Sequence, residues 1–449
     1  MFQPLLARRA EQGNPIRVGI IGAGKFGAGL VAQLSQMQGI EASVIADLDL
    51  ERATYAYTAS RVPEEAVRTA STAAQIDQAI ADGKPAITED GLLLAKSDMV
   101  DVVVEATGIP DVGARMAFTA LTHHKHVVMP NVEADVTVGP ILRYLADSAG
   151  VVYTLVDGDQ PGSTMNIVNW ARTLGFEIVA AGRGTFFYKD DRTGVPDTVP
   201  ERFGFDEETL ARRTINLKMY NSFRDGSKAQ IEMTALANMA GLVPDVRGMH
   251  EPSANLADIP RLFSLEQEGG LLSQHGVVEL ANSVAEDGVS LLDDPIKFGV
   301  FVVVRTEHPF IQEDLTAYYV HPGGDGHNFM LYRPYHLVAV PAPISILKAV
   351  FHGQPTGAPL TTPTADVITV AKRDLKRGEV LDGSGGYTVN GMCEKAAIVR
   401  AKNLLPLGLS SGARLKQDVA QGTAITYDVV DLPESFVLNL RRLQDATLG

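Results

Sequence analysis

Two stretches of this chain carry residue types at spacings that could do chemistry. The first is RVGIIGAGKFG, from Arg17 to Gly27. An apolar run ends at Gly22-Ala23-Gly24-Lys25-Phe26-Gly27, and 28–38 reads as a helix. In such a strand–turn–helix, Gly22 permits the tight turn, Gly24 lets the backbone approach a pyrophosphate, and Gly27 lets the helix pack on the strand. The helix N-terminus offers N–H groups and the positive end of its dipole to phosphates. Lys25 and Phe26 lie in the same turn, so all five residues are candidate dinucleotide contacts.

The second stretch is LKMYNSFRDGSKAQIEMTALANMAGL, 217–242. Lys218, Ser222, Arg224 and Lys228 crowd together in a chain of net charge −15. Lys218 and Ser222 suit an anionic or hydroxylated group. Asp225 and Lys228 suit orienting a carbonyl or hydroxyl and moving its proton. Glu232 lies one helical turn beyond Lys228, so a plain i, i+4 ion pair is the competing structural reading.

Single positions extend both sites. Asp47 ends an expected strand, 41–46, where an acid binds the adenosine ribose of NAD; Arg52 could instead meet the extra phosphate of NADP, so NAD or NADP stays open. Asp47 or Asp49 is equally suited to cap the helix at 50–60. Ala106, Thr107 and Gly108 follow the apolar run 102–106 and are expected near the nicotinamide half, with Asn131 after the strand 126–129. Asp159 and Gln160 face a substrate, or Asp159 or Ser163 caps the next helix. Arg183 and Asn238 are further substrate-binding candidates. Arg333 and His336 follow a strand and divide between substrate contact and ordinary surface or packing roles. His123, His124 and His126 read as a helix end rather than a metal site.

The positioning elements follow from periodicity. Strict strand–helix alternation makes residues 1–156 a Rossmann doubly wound parallel sheet in an α/β chain. A helix is expected at 140–149. An α+β catalytic and oligomerisation domain is expected over 157–360, with strands at 176–181, 299–306, 315–320 and 329–332, a lid-like loop at 190–205, and a helix at 344–351 that returns to the nucleotide domain. Residues 361–449 read as a small β-rich unit after a Pro- and Gly-rich linker. The negative charge argues against nucleic acid and anionic membranes as partners. The apolar run 337–347 is too short to span a bilayer and holds Pro341 and Pro343. One cysteine, Cys393, cannot form an internal disulfide and suits a cytoplasmic setting.

The N-terminal two-thirds resembles the homoserine dehydrogenase superfamily through GAGKFG, VVVEATG, HVVMPNVEAD and the Asp225-Gly226-Ser227-Lys228 helix start. The last ninety residues resemble a SAF domain through VAKRDLKRGEVLDGSGGY and LPLGLSSGARLKQDVAQGTAI. Together with GDQPG, NSFRDGSK, EMTALANMAGL and YRPYHL, this pairing resembles the 1-deoxy-D-xylulose 5-phosphate reductoisomerase-like family. That resemblance implies skeletal rearrangement of a sugar phosphate and hydride transfer from NADPH in isoprenoid precursor synthesis. It also implies a divalent cation (Mg or Mn), Glu232 as a metal ligand or lysine partner, and a homodimer or higher homo-oligomer. Two departures stand out. Val132 occupies the place of a lysine found in homoserine dehydrogenases, and Phe186-Phe187-Tyr188 replaces a more basic loop. The alternatives are a simple NAD(P)-dependent dehydrogenase of a homoserine-like or sugar-derived hydroxy acid, and a non-catalytic nucleotide sensor.

Overall fold

The computed structural model describes residues 2–212 and 215–448. The chain forms two compact units: 1–162 with 337–361 and 435–449, and 163–336 with 362–434. The segment expected as a separate third domain is thus shared. Residues 362–434 join the second unit, and the final helix joins the first.

The first unit holds seven strands: β1 (Ile16–Ile21), β2 (Ile40–Ala46), β3 (Arg68–Thr69), β4 (Ala86–Thr88), β5 (Val102–Glu105), β6 (His126–Met129) and β7 (Tyr153–Leu155). All pair in parallel, in the order β3-β4-β2-β1-β5-β6-β7. The doubly wound sheet expected from the sequence is therefore present. The strand order reverses at β1 and β5, and ligands of such sheets bind beyond the strand ends at that switch point. Ile16, Val18, Ile20, Leu30, Val102 and Val104 form the core, joined by Ala342, Ile346 and Leu347 of helix Ala342–His352.

The helix expected at 140–149 starts a full two turns earlier, as Val132–Ala149. Asn131 caps it by accepting the Ala134 N–H at 3.1 Å on its side-chain oxygen. The β-branched run and Pro140 hide this helix from propensity, but burial of its face overrides that preference.

The second unit holds β8 (Glu177–Thr185), β9 (Val243–Pro244), β10 (Val277–Asn282), β11 (Val300–Arg305), β12 (His321–Pro322) and β13 (Asn328–Arg333). They form a mixed sheet in the order β12-β13-β11-β8-β10-β9, parallel only across β8–β10 and β10–β9. The strand expected at 315–320 is instead the end of helix Pro309–Ala317 and its following turn. Pro309, in the first turn, initiates that helix despite the aromatic and β-branched residues at its end. In 362–434, β14 (Ala365–Ala371) and β15 (Val389–Lys395) pair antiparallel, and so do β16 (Arg414–Leu415) and β17 (Val430–Asp431). Among the described residues no helix is long and apolar enough to cross a membrane.

Candidate functional site

In the first unit the three turn glycines differ in what surrounds them. A methyl on Gly27 would lie 2.0 Å from the Gly22 carbonyl oxygen, so the helix touches the turn directly. Gly22, at φ +97°, would bring a methyl to 3.0 Å from the Ala106 carbonyl oxygen. Around a methyl on Gly24 no heavy atom would lie within 4 Å, and Gly24 begins helix Lys25–Leu34. Open space at a helix N-terminus fits a pyrophosphate. Lys25 is exposed beside it, while Phe26 leans on the core.

Asp47 accepts the Ala23 N–H at 2.7 Å and the Asp49 N–H at 2.9 Å. It therefore braces the glycine turn as well as marking the end of β2. The cap of helix Leu50–Thr58 is Asp49, whose carboxylate also lies 3.5 Å from Arg52. A methyl on Gly108, at φ +69°, would meet nothing within 4 Å, so the β5 end is open. Behind Ala106 and Thr107 sits the acid of the run VVVEATG. Glu105, fully buried, accepts hydrogen bonds from the Thr107 N–H at 3.1 Å, from the Thr107 hydroxyl and from Asn131 Nδ2 at 2.7 Å. Burial pushes its carboxyl up to about 7, against those hydrogen bonds. Asn131 thus ties the β6 end to the β5 end rather than standing free.

The three histidines are spent on backbone. His123 meets Thr119 O at 2.9 Å, His124 meets Ala149 O at 3.1 Å, and His126 accepts the Val152 N–H at 3.0 Å. Asp159 accepts the Gly162 N–H at 2.7 Å in the first turn of the helix that begins at Gln160, itself buried.

In the second unit a polar cluster is built on β8 and β10. Methyls on Gly182 and Gly184 would lie 1.8 Å from Glu279 O and 2.1 Å from Lys297 O, so only glycine permits these close approaches. Arg183 between them points to the other face. Its guanidinium pairs with Glu232, and both side chains are buried. Arg192 pairs with the partly buried Glu251 at 2.5 Å and stacks over the Phe187 ring at 4.3 Å. Burial raises the Glu251 carboxyl to about 6, with the Arg192 charge opposing.

His250 donates its backbone N–H to Glu279 at 3.0 Å and holds Nδ1 2.6 Å from the same buried carboxylate. That hydrogen bond raises the imidazole above its ordinary value. Met249 and Glu251 flank it at φ +68° and +50°, conformations that cost non-glycine residues energy and concentrate at functional sites. His336 meets Phe298 O at 3.1 Å; burial lowers its affinity for a proton, and the charges of Glu232, Arg183 and Arg333 all act on it. Arg333 lies 3.5 Å from the Ser163 hydroxyl and stacks on Tyr335, with no carboxylate partner among the described residues.

The structure divides the residues expected to act together at 217–242. Lys228 and Glu232 share a face of helix Ser227–Ala240, and Glu232 turns to Arg183. The others are committed elsewhere. Exposed Lys218 donates to Asp382 O at 3.1 Å, and Ser222 bonds Met219 O of its own helix at 2.6 Å. Asp225 is fully buried and lies 2.6 Å from Lys372. Asn238 accepts the Thr364 and Ala365 N–H groups at 2.9 and 3.0 Å. This half of the stretch thus seats residues 362–434, which is why it is polar.

A divalent cation finds no fitting donor set here. Asp225 is neutralised by Lys372 and Glu232 by Arg183. No group of three or more His, Cys, Asp and Glu among the described residues is arranged to hold a metal. Glu105 and Lys372 lie within the runs VVVEATG and VAKRDLKRGEVLDGSGGY, and Glu279 lies outside them; for all three the one local signal of a role is a charge placed in or at the end of an apolar strand run.

Two family models match the chain in succession. The homoserine dehydrogenase NAD-binding domain matches residues 22–155, and the oxidoreductase DRL catalytic domain matches residues 158–341. With the parallel sheet and its glycine turn, they define an NAD(P)-dependent oxidoreductase of the dehydrogenase type. No curated protein matches the chain in sequence. Among solved structures, a probable dehydrogenase from Thermotoga maritima is 11% identical over 76% of this chain and 90% of that one, with a TM-score of 0.38. The WlbA dehydrogenase from Bordetella pertussis, solved with NADH and UDP-GlcNAcA, is 20% identical over 40% of this chain and 48% of that one, TM-score 0.25. The myo-inositol dehydrogenase from Lactobacillus casei is 14% identical over 41% of this chain and 50% of that one, TM-score 0.28.

Proposed function

We propose that the protein is an NAD(P)-dependent dehydrogenase of a small hydroxy or carbonyl compound bearing an anionic group, such as a homoserine-like or sugar-derived hydroxy acid. The carrying observation is Arg333: a half-buried guanidinium without a carboxylate partner among the described residues, in a cluster with His336, Arg183 and Glu232. A cation so placed suits a substrate carboxylate or phosphate. A bound nicotinamide supplies or accepts the hydride. Gly22, Gly24, Gly27 and Asp47 hold the nucleotide; Ala106, Thr107 and Gly108 shape the edge of its reactive half. Lys228, one turn before Glu232, exchanges the proton of the substrate oxygen, while Arg183 fixes Glu232 beside it. A homo-oligomer is the expected assembly.

The reductoisomerase reading is the second choice. It draws support from the motifs GDQPG, NSFRDGSK, EMTALANMAGL and YRPYHL, all within the span of the matched catalytic-domain model. The absence of a fitting cation donor set among the described residues ranks it lower. The test is oxidation of NADH and of NADPH with a panel of semialdehydes, 2-oxo acids and sugar-derived ketones, and with 1-deoxyxylulose 5-phosphate plus Mg. Turnover on the first group supports the dehydrogenase. Turnover on the sugar phosphate alone, abolished by a chelator, overturns it for the reductoisomerase. Nucleotide binding without any turnover overturns both for a sensor.

A further inference from the structure

Lys372 lies in the β-rich segment 362–434, directly after β14, yet it is almost wholly buried. Its ammonium donates hydrogen bonds to Gly386 O at 2.7 Å and Gly194 O at 3.0 Å and forms an ion pair with Asp225 Oδ2 at 2.6 Å. These acceptors belong to three separate pieces of chain. Asp225 accepts the Ser227 N–H at 2.9 Å on its other oxygen, at the start of the helix that carries Lys228 and Glu232. Gly194 ends the turn that carries Arg192, the partner of Glu251. Gly386 belongs to the glycine loop before β15.

We propose that Lys372 is a positioning residue, pinning the Lys228–Glu232 helix start and the Arg192 turn in their working places. The proposal rests on the reading of Lys228 and Glu232 as the chemical face. A buried ion pair is weak evidence for stability, because desolvation offsets most of its attraction and apolar replacements are often tolerated. What the ammonium adds, through two hydrogen bonds and one ion pair, is a single geometry for three segments. Asn221 runs a parallel tie, its side chain donating to Gly194 O and Gly385 O at 2.9 Å each and its carbonyl accepting the Asp225 N–H at 2.8 Å, but it carries no charge to set against the Asp225 carboxylate. The segment 362–434 thus acts on the Lys228–Glu232 face through Lys372.

The experiment compares the full-length wild type with Lys372→Met and with the double variant Asp225→Asn/Lys372→Met. Lys372→Met alone strands a buried carboxylate and is expected to melt lower. The double variant removes both charges and is expected to keep the wild-type melting temperature. In that folded double variant, kcat falls by about tenfold or more while KM and the NADH Kd change by less than about threefold. Amides at 191–198 and 227–232 exchange hydrogen faster than in wild type. A kcat within about twofold of wild type overturns the proposal, and so does unchanged exchange at both segments. A wild type inert toward the whole panel defeats the dehydrogenase reading instead, and the exchange measurement then still decides whether Lys372 pins these segments.

Discussion

The Arg183 guanidinium and the Glu232 carboxylate are paired inside the second unit, at side-chain exposures of only 8% and 9%. A pair so placed is expected to behave asymmetrically. Glu232→Gln leaves Arg183 charged and without its counter-ion, at a cost of roughly 3–5 kcal/mol. Arg183→Met/Glu232→Leu removes both charges and costs far less, within about 1 kcal/mol of wild type. Urea unfolding of wild type, both single variants and the double variant measures this. A double variant as unstable as the sum of the singles refutes the pairing. Turnover is expected to vanish in all three variants, because Glu232 lies on the chemical face.

The glycine turn separates folding from binding. Gly24→Ala puts its methyl into open space, so melting should match wild type while NADH affinity falls by about tenfold or more. Gly27→Ala puts its methyl 2.0 Å from a carbonyl oxygen of the same turn. That overpacking costs about 1–3 kcal/mol and lowers the melting temperature together with affinity. Differential scanning fluorimetry with and without NADH distinguishes them. Equal destabilisation by both variants contradicts the assigned roles.

The parts of the molecule legible in sequence are those whose determinants are local. Parallel strands buried on both faces read as apolar runs, which is why β1, β5 and β6 are legible nearly residue for residue. The turn from Gly22 to Gly27 is local in the same sense. The second-unit cluster is not. Arg183 and Glu232 are 49 positions apart, and Asp225 meets a lysine in the last quarter of the chain. Spacing within 217–242 suggests a pairing of Asp225 with Lys228 but cannot reveal Lys372 as a competitor. Pro140 misleads in the opposite direction, because it lies inside a helix rather than at its start.

That proline leads to a prediction in the first unit. The Ile141 N–H, just after Pro140, donates to Gln444 Oε1 at 3.2 Å, and Arg441 donates to Thr137 O at 3.2 Å. Helix Phe436–Leu448 thus supplies side chains to the backbone around the proline. Gln444→Leu removes the acceptor of a buried N–H and should cost about 1–3 kcal/mol. In a Pro140→Ala background the same substitution should cost less, since the helix can then close its own hydrogen bonds. A double-mutant cycle by chemical denaturation checks this, and additivity would remove the link between Gln444 and the proline.

Asp135 ties stability to pH. It is fully buried in the same helix; one oxygen accepts the Tyr153 hydroxyl at 2.8 Å, and the other takes no hydrogen bond from any described residue. Burial pushes its carboxyl from 3.8 up to about 7, with the Tyr153 hydrogen bond pulling the other way. The folded state therefore holds this proton more tightly than the unfolded chain does. As pH rises above 3.8 the unfolded chain loses the proton first, so stability falls until the folded group has also ionised above about 7. Asp135→Asn keeps an acceptor for Tyr153 and removes the charge. It should match wild type near pH 4 and exceed it near pH 8, by at most about 4 kcal/mol at 1.36 kcal/mol per unit. Some slope should persist in the variant, because Glu105 is also raised to about 7. Melting curves of both proteins across that range decide it: parallel curves would mean that Asp135 does not titrate in this window.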